Sequence, residues 1–332
     1  MNENGFRGVI GHKGLVEALK NAVAGGRISH AYLFAGDPGS GKKFLATTFA
    51  AALECEGEGE RPCMKCRSCR KALSRNHPDI SLLVPEKPDV ISVGEIRELT
   101  AQAAVKPYEG KYKIFIINDA EKMNQQAQNA LLKTLEEPPA YMVLMLLANR
   151  PEQLLPTIAS RCVRLDVETV PDDEIKAYLM GEMDMTGDEA DVAAAFAQGN
   201  VGRAKAIAED GSFAEMAKGT VAVVSAAKEY TVKQMLDAAE ELAPDKESLR
   251  SLFNVMLLWF RDVLLFKATQ DPGKLVFRDE IGRIRQQAVG MSYGDLENVL
   301  DAIERATTRI GSNVSREVTL ELLFAAVAEA VK

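Results

Sequence analysis

A chain of 332 residues is too long for one ordinary compact domain and predicts two or three. Hydrophobic residues at 47% and charged residues at 27% are the balance of a globular protein and exclude a disordered one. The formal net charge of -8 counts against a protein that grips nucleic acid through a broad basic surface, though not against a local contact or DNA held by partner subunits. The opening Met1-Asn2-Glu3-Asn4-Gly5 is polar and acidic, unlike a signal peptide, and the apolar run Val255 to Phe260 is too short to span a bilayer. No membrane role is expected, and a cytoplasmic address is the default.

In chain order, Leu15, Leu19 and Val23 predict an amphipathic helix ending at Gly25-Gly26. Ala31 to Ala35 reads as a strand entering a glycine loop, and Gly41 to Leu53 as a helix. Ile80 to Val84 is a second strand. Ser92 and Glu95 form a capping box before a helix running to about Val105. Ile114 to Ile117 is a third strand, Asn124 to Glu136 a helix stopped by Pro138-Pro139, Tyr141 to Ala148 a fourth strand and Cys162 to Val167 a fifth. Strands alternating with helices predict an α/β fold with a parallel sheet covered on both faces. After Pro171 the pattern turns helical, with short helices around Ile175 to Leu179, Val192 to Ala197 and Val201 to Ala208. From about Phe213 everything reads as helix, with starts at Thr231 to Gln234 and Ser292 to Asp295 and breaks at Pro244 and Pro272-Gly273.

The run Gly36-Asp37-Pro38-Gly39-Ser40-Gly41-Lys42-Lys43 has the spacing of a phosphate loop between a strand and a helix. Gly36, Gly39 and Gly41 let backbone N–H groups turn toward phosphate oxygens, and Lys42 reaches the terminal phosphates. A working NTPase places Ser or Thr next, to hold Mg²⁺; here Lys43 supplies no ligand and adds repulsion. The strand that should end in Asp-Glu is followed by Asn118-Asp119, a weaker magnesium-side residue and a shorter base. ATP binding without hydrolysis is expected at most, and a glycine turn holding no ligand stays open beside it.

Four of the five cysteines fall in Cys55-x7-Cys63-x2-Cys66-x2-Cys69, spacings that fit a closed, structural Zn²⁺ site. The flanks, Glu56 to Glu60, are hydrophilic and offer these thiols no core. Ser160-Arg161-Cys162 precedes the fifth strand. An arginine there is ordinarily a surface residue, but beside a failed nucleotide site it becomes a candidate finger that stabilises phosphoryl transfer on a neighbouring subunit. His12, His30 and His77 show no metal spacing and read as capping or packing residues, Trp259 and Cys162 as packing. Glu136-Glu137 point in different directions from a helix end and do not make an acid–base pair. No Ser-His-Asp arrangement is apparent.

Ser29-His30-Ala31-Tyr32-Leu33-Phe34, the four-cysteine insert, Asn129-Ala130-Leu131-Leu132-Lys133-Thr134-Leu135-Glu136-Glu137-Pro138-Pro139 and Ser160-Arg161-Cys162 together resemble the bacterial DNA polymerase III clamp-loader subunits, a family of AAA+ proteins. The resemblance is strongest from about residue 8 to 166. It continues through Gly199-Asn200-Val201-Gly202-Arg203-Ala204, Trp259 to Leu265 and the stretch from Asn313 to Phe324. It implies an AAA+ P-loop domain over 1–168 with a zinc insert at 55–69, a helical lid over 169–210 and an all-α collar over 211–332. Partners so implied are gamma/tau and delta subunits in a hetero-pentameric ring, and through the ring the sliding clamp and primed DNA. By position Arg161 is the trans finger and Asn149 a polar nucleotide sensor. The second sensor position of the lid falls near Gly202, which leaves Arg203 without a nucleotide role. The degenerate loop, short lead and lack of a long extension fit a member that is not the motor.

Two alternatives remain. One is a motor ATPase of the gamma/tau type with unusual motifs, which Lys43 and Asn118 argue against. The other is a zinc-stabilised DNA-binding protein, against which stand the acidic charge and the lack of a basic stripe with stacking aromatics.

Overall fold

The computed structural model describes residues 5–83, 85, 87, 89–209, 211–311 and 314–331. Val84 and Asn313, named above at a strand end and in the closing stretch, lie outside the described residues, as do Met1, Asn2, Glu3 and Asn4. The chain divides into two compact units, one of residues 1–171 with 200–202, the other of 172–199 with 203–332.

In the first unit the elements run α1 (Lys13–Gly25), β1 (Ala31–Ala35), α2 (Lys42–Leu53), α3 (Arg67–Leu73), β2 (Ile80–Leu83), α4 (Val93–Ala103), β3 (Lys113–Ile117), α5 (Gln125–Glu136), β4 (Met142–Ala148), α6 (Pro156–Ala159) and β5 (Val163–Asp166). The strands form one sheet in the order β2-β3-β4-β1-β5, every pairing parallel, as an α/β P-loop domain requires. Because successive side chains of a strand point to opposite faces, each central strand feeds two cores. Leu33, Phe115, Ile117, Leu144 and Leu146 pack under α4 and α5. Tyr32, Phe34, Ile114, Ile116, Met145 and Leu147 pack with Leu19 of α1 and Leu45 and Phe49 of α2. Each fully buried side chain of this size contributes roughly 2 kcal/mol, which is why near-continuous apolar runs form the middle strands.

The local signals that set helix ends act as expected. Ser92 and Glu95 close the capping box on α4, and Asn124 caps α5 by accepting from the Ala127 amide. Helix α3, inside the cysteine insert, is not foreseen from the sequence pattern; its seven residues are too few for periodicity to register. Its first turn is set instead by Cys66, whose sulfur accepts from the Cys69 amide.

Among the described residues the elements after Pro171 are all helices: α7 (Asp172–Glu182), α8 (Gly187–Ala197), α9 (Val201–Glu209, whose first two residues count with the first unit), α10 (Ser212–Ser225), α11 (Val232–Leu242), α12 (Lys246–Thr269), α13 (Ile281–Gly290), α14 (Tyr293–Gly311) and α15 (Arg316–Ala330). Trp259 of α12 is fully buried, and its indole N–H donates to Gln287 Oε1 at 2.7 Å. The packing role expected of it holds. Among the described residues no helix is long and apolar enough to cross a membrane.

Candidate functional site

All strands being parallel, the loops after β1, β3 and β4 emerge at one edge of the sheet, where open α/β folds place ligands. The glycine loop is anchored there by the Gly36 amide, which donates to Ala148 O at 3.2 Å. Gly39 and Gly41 hold φ of 82° and 97°, left-handed values that favour glycine. Helix α2 begins immediately after, with no side-chain cap on its first N–H groups. The backbone therefore has the form of a phosphate cradle.

The side chains are disposed otherwise. The Lys42 ammonium donates to Gly36 O and Asp37 O at 2.7 Å and to Asn149 Oδ1 at 2.8 Å. It is buried, and burial pushes its pKa down against the pull of Glu121, Asp119 and Asp37. Lys43, where a magnesium ligand would stand, is exposed. Asp119 pairs with Lys122 at 3.2 Å and accepts from Asn149 Nδ2 at 3.1 Å. Asn149 thus bridges the lysine of the loop and the acid after β3.

Two residues of this edge escape a reading of the sequence. Glu121 accepts from Asn149 Nδ2 at 2.7 Å and from the Asn149 amide at 3.2 Å, while its Oε2 is buried without a hydrogen-bond partner. It lies two residues past the degenerate pair, outside the motif that draws attention. Asn200 donates to Pro38 O at 2.7 Å, and the neighbouring Gly202 amide donates to Gly39 O at 2.9 Å. A Cβ at Gly202 would meet Gly39 O at 2.7 Å, so only glycine permits this approach. Gly202 is there to touch the loop.

The four cysteines converge. The sulfurs of Cys55, Cys63, Cys66 and Cys69 lie within 4.8 Å of one another. Zn–S bonds of about 2.3 Å put tetrahedral sulfur pairs about 3.8 Å apart, so the group needs little adjustment to close on one ion. Amides of Cys63, Cys66 and Cys69 donate to the sulfurs of Cys55, Cys63 and Cys66 at 3.3, 3.3 and 3.4 Å, the donor pattern that thiolates favour. Burial pushes the Cys55 and Cys69 thiols up. Cys63, against its own desolvation, is brought down to about 6 by the N–H groups of Lys65 and Cys66. Beside the cluster, buried His77 accepts from the Asp79 amide at Nδ1 and lies 3.1 Å from Ser68 Oγ through Nε2, a packing role and not a ligand's.

Arg161 occupies the turn between α6 and β5. Its guanidinium donates to Thr157 O and to Glu136 Oε1, each at 2.9 Å, on the exposed surface. Glu136 comes from the leucine-rich string at the end of α5, so two motifs far apart in sequence meet here. Cys162 packs against the sheet core, and burial pushes its thiol up to about 12, as an inert packing thiol requires.

A family model described as DNA polymerase III, delta subunit, matches residues 11–171. The chain is 30% identical over 314 residues to DNA polymerase III subunit delta' of Bacillus subtilis, covering 93% of this chain and 94% of that protein. It is 29% identical over 290 residues to the tau subunit of the same organism, spanning 81% of this chain and 51% of that one. Among solved structures, a DNA polymerase III gamma subunit-related protein of Thermotoga maritima aligns with a TM-score of 0.47 at 20% identity, over 95% of this chain and 99% of that one.

Proposed function

The chain belongs to the delta' family of DNA polymerase III clamp-loader subunits, and from that premise we propose that it serves a neighbour's ATP site and not one of its own. In this reading 1–168 is the AAA+ domain, 169–210 the lid and 211–332 a collar that joins gamma/tau and delta subunits in a five-membered ring. The ring acts in the cytoplasm, opening the sliding clamp and placing it on primed DNA. The supporting observation is the opposite disposition of two cations. Lys42 is buried against three protein oxygens, whereas Arg161 is only half-buried and held by a surface carboxylate and one carbonyl. A surface pair of that kind is worth at most about 1 kcal/mol, so the guanidinium is easily redirected to a γ-phosphate across a subunit boundary.

ATP is at most a bound ligand of the degenerate loop. Lys43 offers no magnesium ligand, Asn118 is neutral, and Asp119 is already engaged by Lys122 and Asn149. Cys55, Cys63, Cys66 and Cys69 hold structural Zn²⁺, which cross-links the insert and, with four protein ligands, leaves no open position for catalysis.

Reconstitution tests the assignment. The chain is mixed with gamma/tau and delta subunits of its own organism, and ATP turnover stimulated by clamp and primed DNA is measured with and without it. Co-elution as one assembly, with turnover that depends on the chain, is expected. A chain that stays apart, or that hydrolyses ATP alone, would mean a different role.

A further inference from the structure

The cysteine insert reverses the charge of the molecule. Between Arg61 and Pro78 there is no acidic residue, while Arg61, Lys65, Arg67, Arg70, Lys71 and Arg75 all fall within it, in a chain of net charge -8. Helix α3 sorts them: Ser68 and Cys69 are buried, and Arg67 and Arg70, three residues apart, share its exposed face. Of the acids just upstream, Glu60 is taken by Arg7 at 2.7 Å and Lys20 at 2.6 Å, and among the described residues Glu56 and Glu58 form no ion pair with these cations. Among the described residues Arg61, Lys65, Arg67, Arg70 and Arg75 form no ion pair; Lys71 alone is matched, by Glu109 at 2.6 Å.

That last pair joins α3 to the loop before β3. The loop is fixed by two buried carboxylates. Asp79 accepts from the amides of Tyr108, Glu109 and Gly110 at 2.7, 2.9 and 2.9 Å. Glu54 accepts from those of Lys111 and Tyr112 at 2.9 and 2.7 Å. At Gly110 a Cβ would lie 2.0 Å from Glu54 Oε2, so the close approach needs glycine. So much anchoring presents outward a tyrosine that is 85% exposed, Tyr108, between exposed Lys106 and Lys111. A cleft of about 160 Å³, lined by Arg61, His77 and Lys111 and also by Glu54, Glu56 and Glu109, runs between the loop and the insert.

We propose that this face binds single-stranded nucleic acid, with phosphates on Arg67, Arg70, Lys106 and Lys111 and a base stacked on Tyr108. Cations that track a backbone beside an aromatic with a free face are the recurring design of single-strand binding, and only an unstacked base can use such a ring. The basic stripe with a stacking aromatic that the sequence lacks is assembled in space from two segments. A competing role for the cations is to offset a Zn²⁺ held by four thiolates, formally -2. That role accounts for charge near the sulfurs but not for an exposed tyrosine locked beside it. The proposal does not depend on the ring or on Arg161.

The test is fluorescence anisotropy of a labelled oligothymidylate with the full zinc-loaded chain, titrated at several salt concentrations. Arg67→Glu with Arg70→Glu is expected to weaken binding at least roughly tenfold and to lower the log–log salt slope by about 0.7 for each phosphate no longer neutralised. Tyr108→Ala is expected to weaken it about five- to tenfold with the slope unchanged, and Tyr108→Phe to restore it. Zinc content is measured in every variant. If the arginine pair also loses zinc, Lys106→Glu with Lys111→Glu, in the separate loop, must show the same loss of binding. Failure of the wild-type chain to bind at low salt, or unchanged binding in the lysine pair, overturns the proposal. So do tighter binding of duplex that ignores Tyr108→Ala and equal competition by polyglutamate.

Discussion

The glycine-loop edge and the cysteine insert both carry groups made for a charged ligand, yet the protein treats them in opposite ways. At the loop edge the chain supplies its own partners: carbonyls and Asn149 for Lys42, Lys122 and Asn149 for Asp119, Asn200 for Pro38 O. In the insert the four sulfurs meet one another, a few amides and, at Cys69, the Ala51 carbonyl at 3.8 Å. A buried polar group must be satisfied from somewhere. A site satisfied largely from within, Glu121 Oε2 and Ser40 Oγ excepted, folds without its ligand, whereas four converging cysteines draw their stability from an ion that displaces their protons.

That contrast predicts that metal removal is the largest perturbation. Structural zinc sites contribute on the order of 10 kcal/mol of apparent binding energy to local folding. Chelation, or Cys63→Ser with Cys66→Ser, should abolish zinc retention and open residues 55–77 to proteolysis while nucleotide leaves that cleavage pattern unchanged. Elemental analysis with limited proteolysis reads both. An insert that stays resistant without metal would remove the distinction.

Next in size is Asp79, which belongs to the satisfied class although it neighbours the insert. Burial opposes its charge, but the amides of Glu109, Tyr108 and Gly110 and the Lys113 ammonium hold its pKa at about 2 against an ordinary 3.8. A depressed carboxylate stabilises the fold above its unfolded pKa and loses that contribution as pH falls through the folded value. The shift corresponds to about 2 kcal/mol, present near neutral pH and lost progressively between about pH 4 and pH 2. Asp79→Ala should cost roughly 3 kcal/mol in urea unfolding at neutral pH, and its acid transition should flatten relative to the parent. An unaltered acid limb would place the stabilisation elsewhere.

Smaller effects sharpen the loop side. Asn200→Ala removes one neutral hydrogen bond to the glycine loop and should cost about 1 kcal/mol in urea unfolding. Glu136→Gln breaks only the exposed pair with Arg161 and should change stability by less than about 1 kcal/mol. A loss of several kcal/mol at Glu136 in thermal unfolding would show Arg161 to be structural and not held in reserve.

The sheet was legible because burial on both faces demands continuous apolar strands, and Ile114 to Ile117 or Met142 to Ala148 have few other uses. Caps such as Ser92 with Glu95 were legible because their hydrogen bonds span three residues. Cys55 to Cys69 could be grouped because metal spacing is local. What escaped was what only tertiary folding joins. Glu121 at Asn149, Asn200 on Pro38 and Tyr108 beside α3 each depend on contacts across 28 residues or more. That α3 with its basic residues lies beside the Tyr108 loop escaped for the same reason: the two belong to different elements.

The central claim is that this chain's own phosphate site is dispensable while its arginine is not. The direct measurement is clamp- and DNA-stimulated ATP turnover of the reconstituted loader carrying Arg161→Ala or Lys42→Met, with assembly checked for each. A loss of roughly a thousandfold at the site facing Arg161, and near-parental turnover with Lys42→Met, is the predicted result. Unchanged turnover with Arg161→Ala, or collapse with Lys42→Met in an intact assembly, would contradict it.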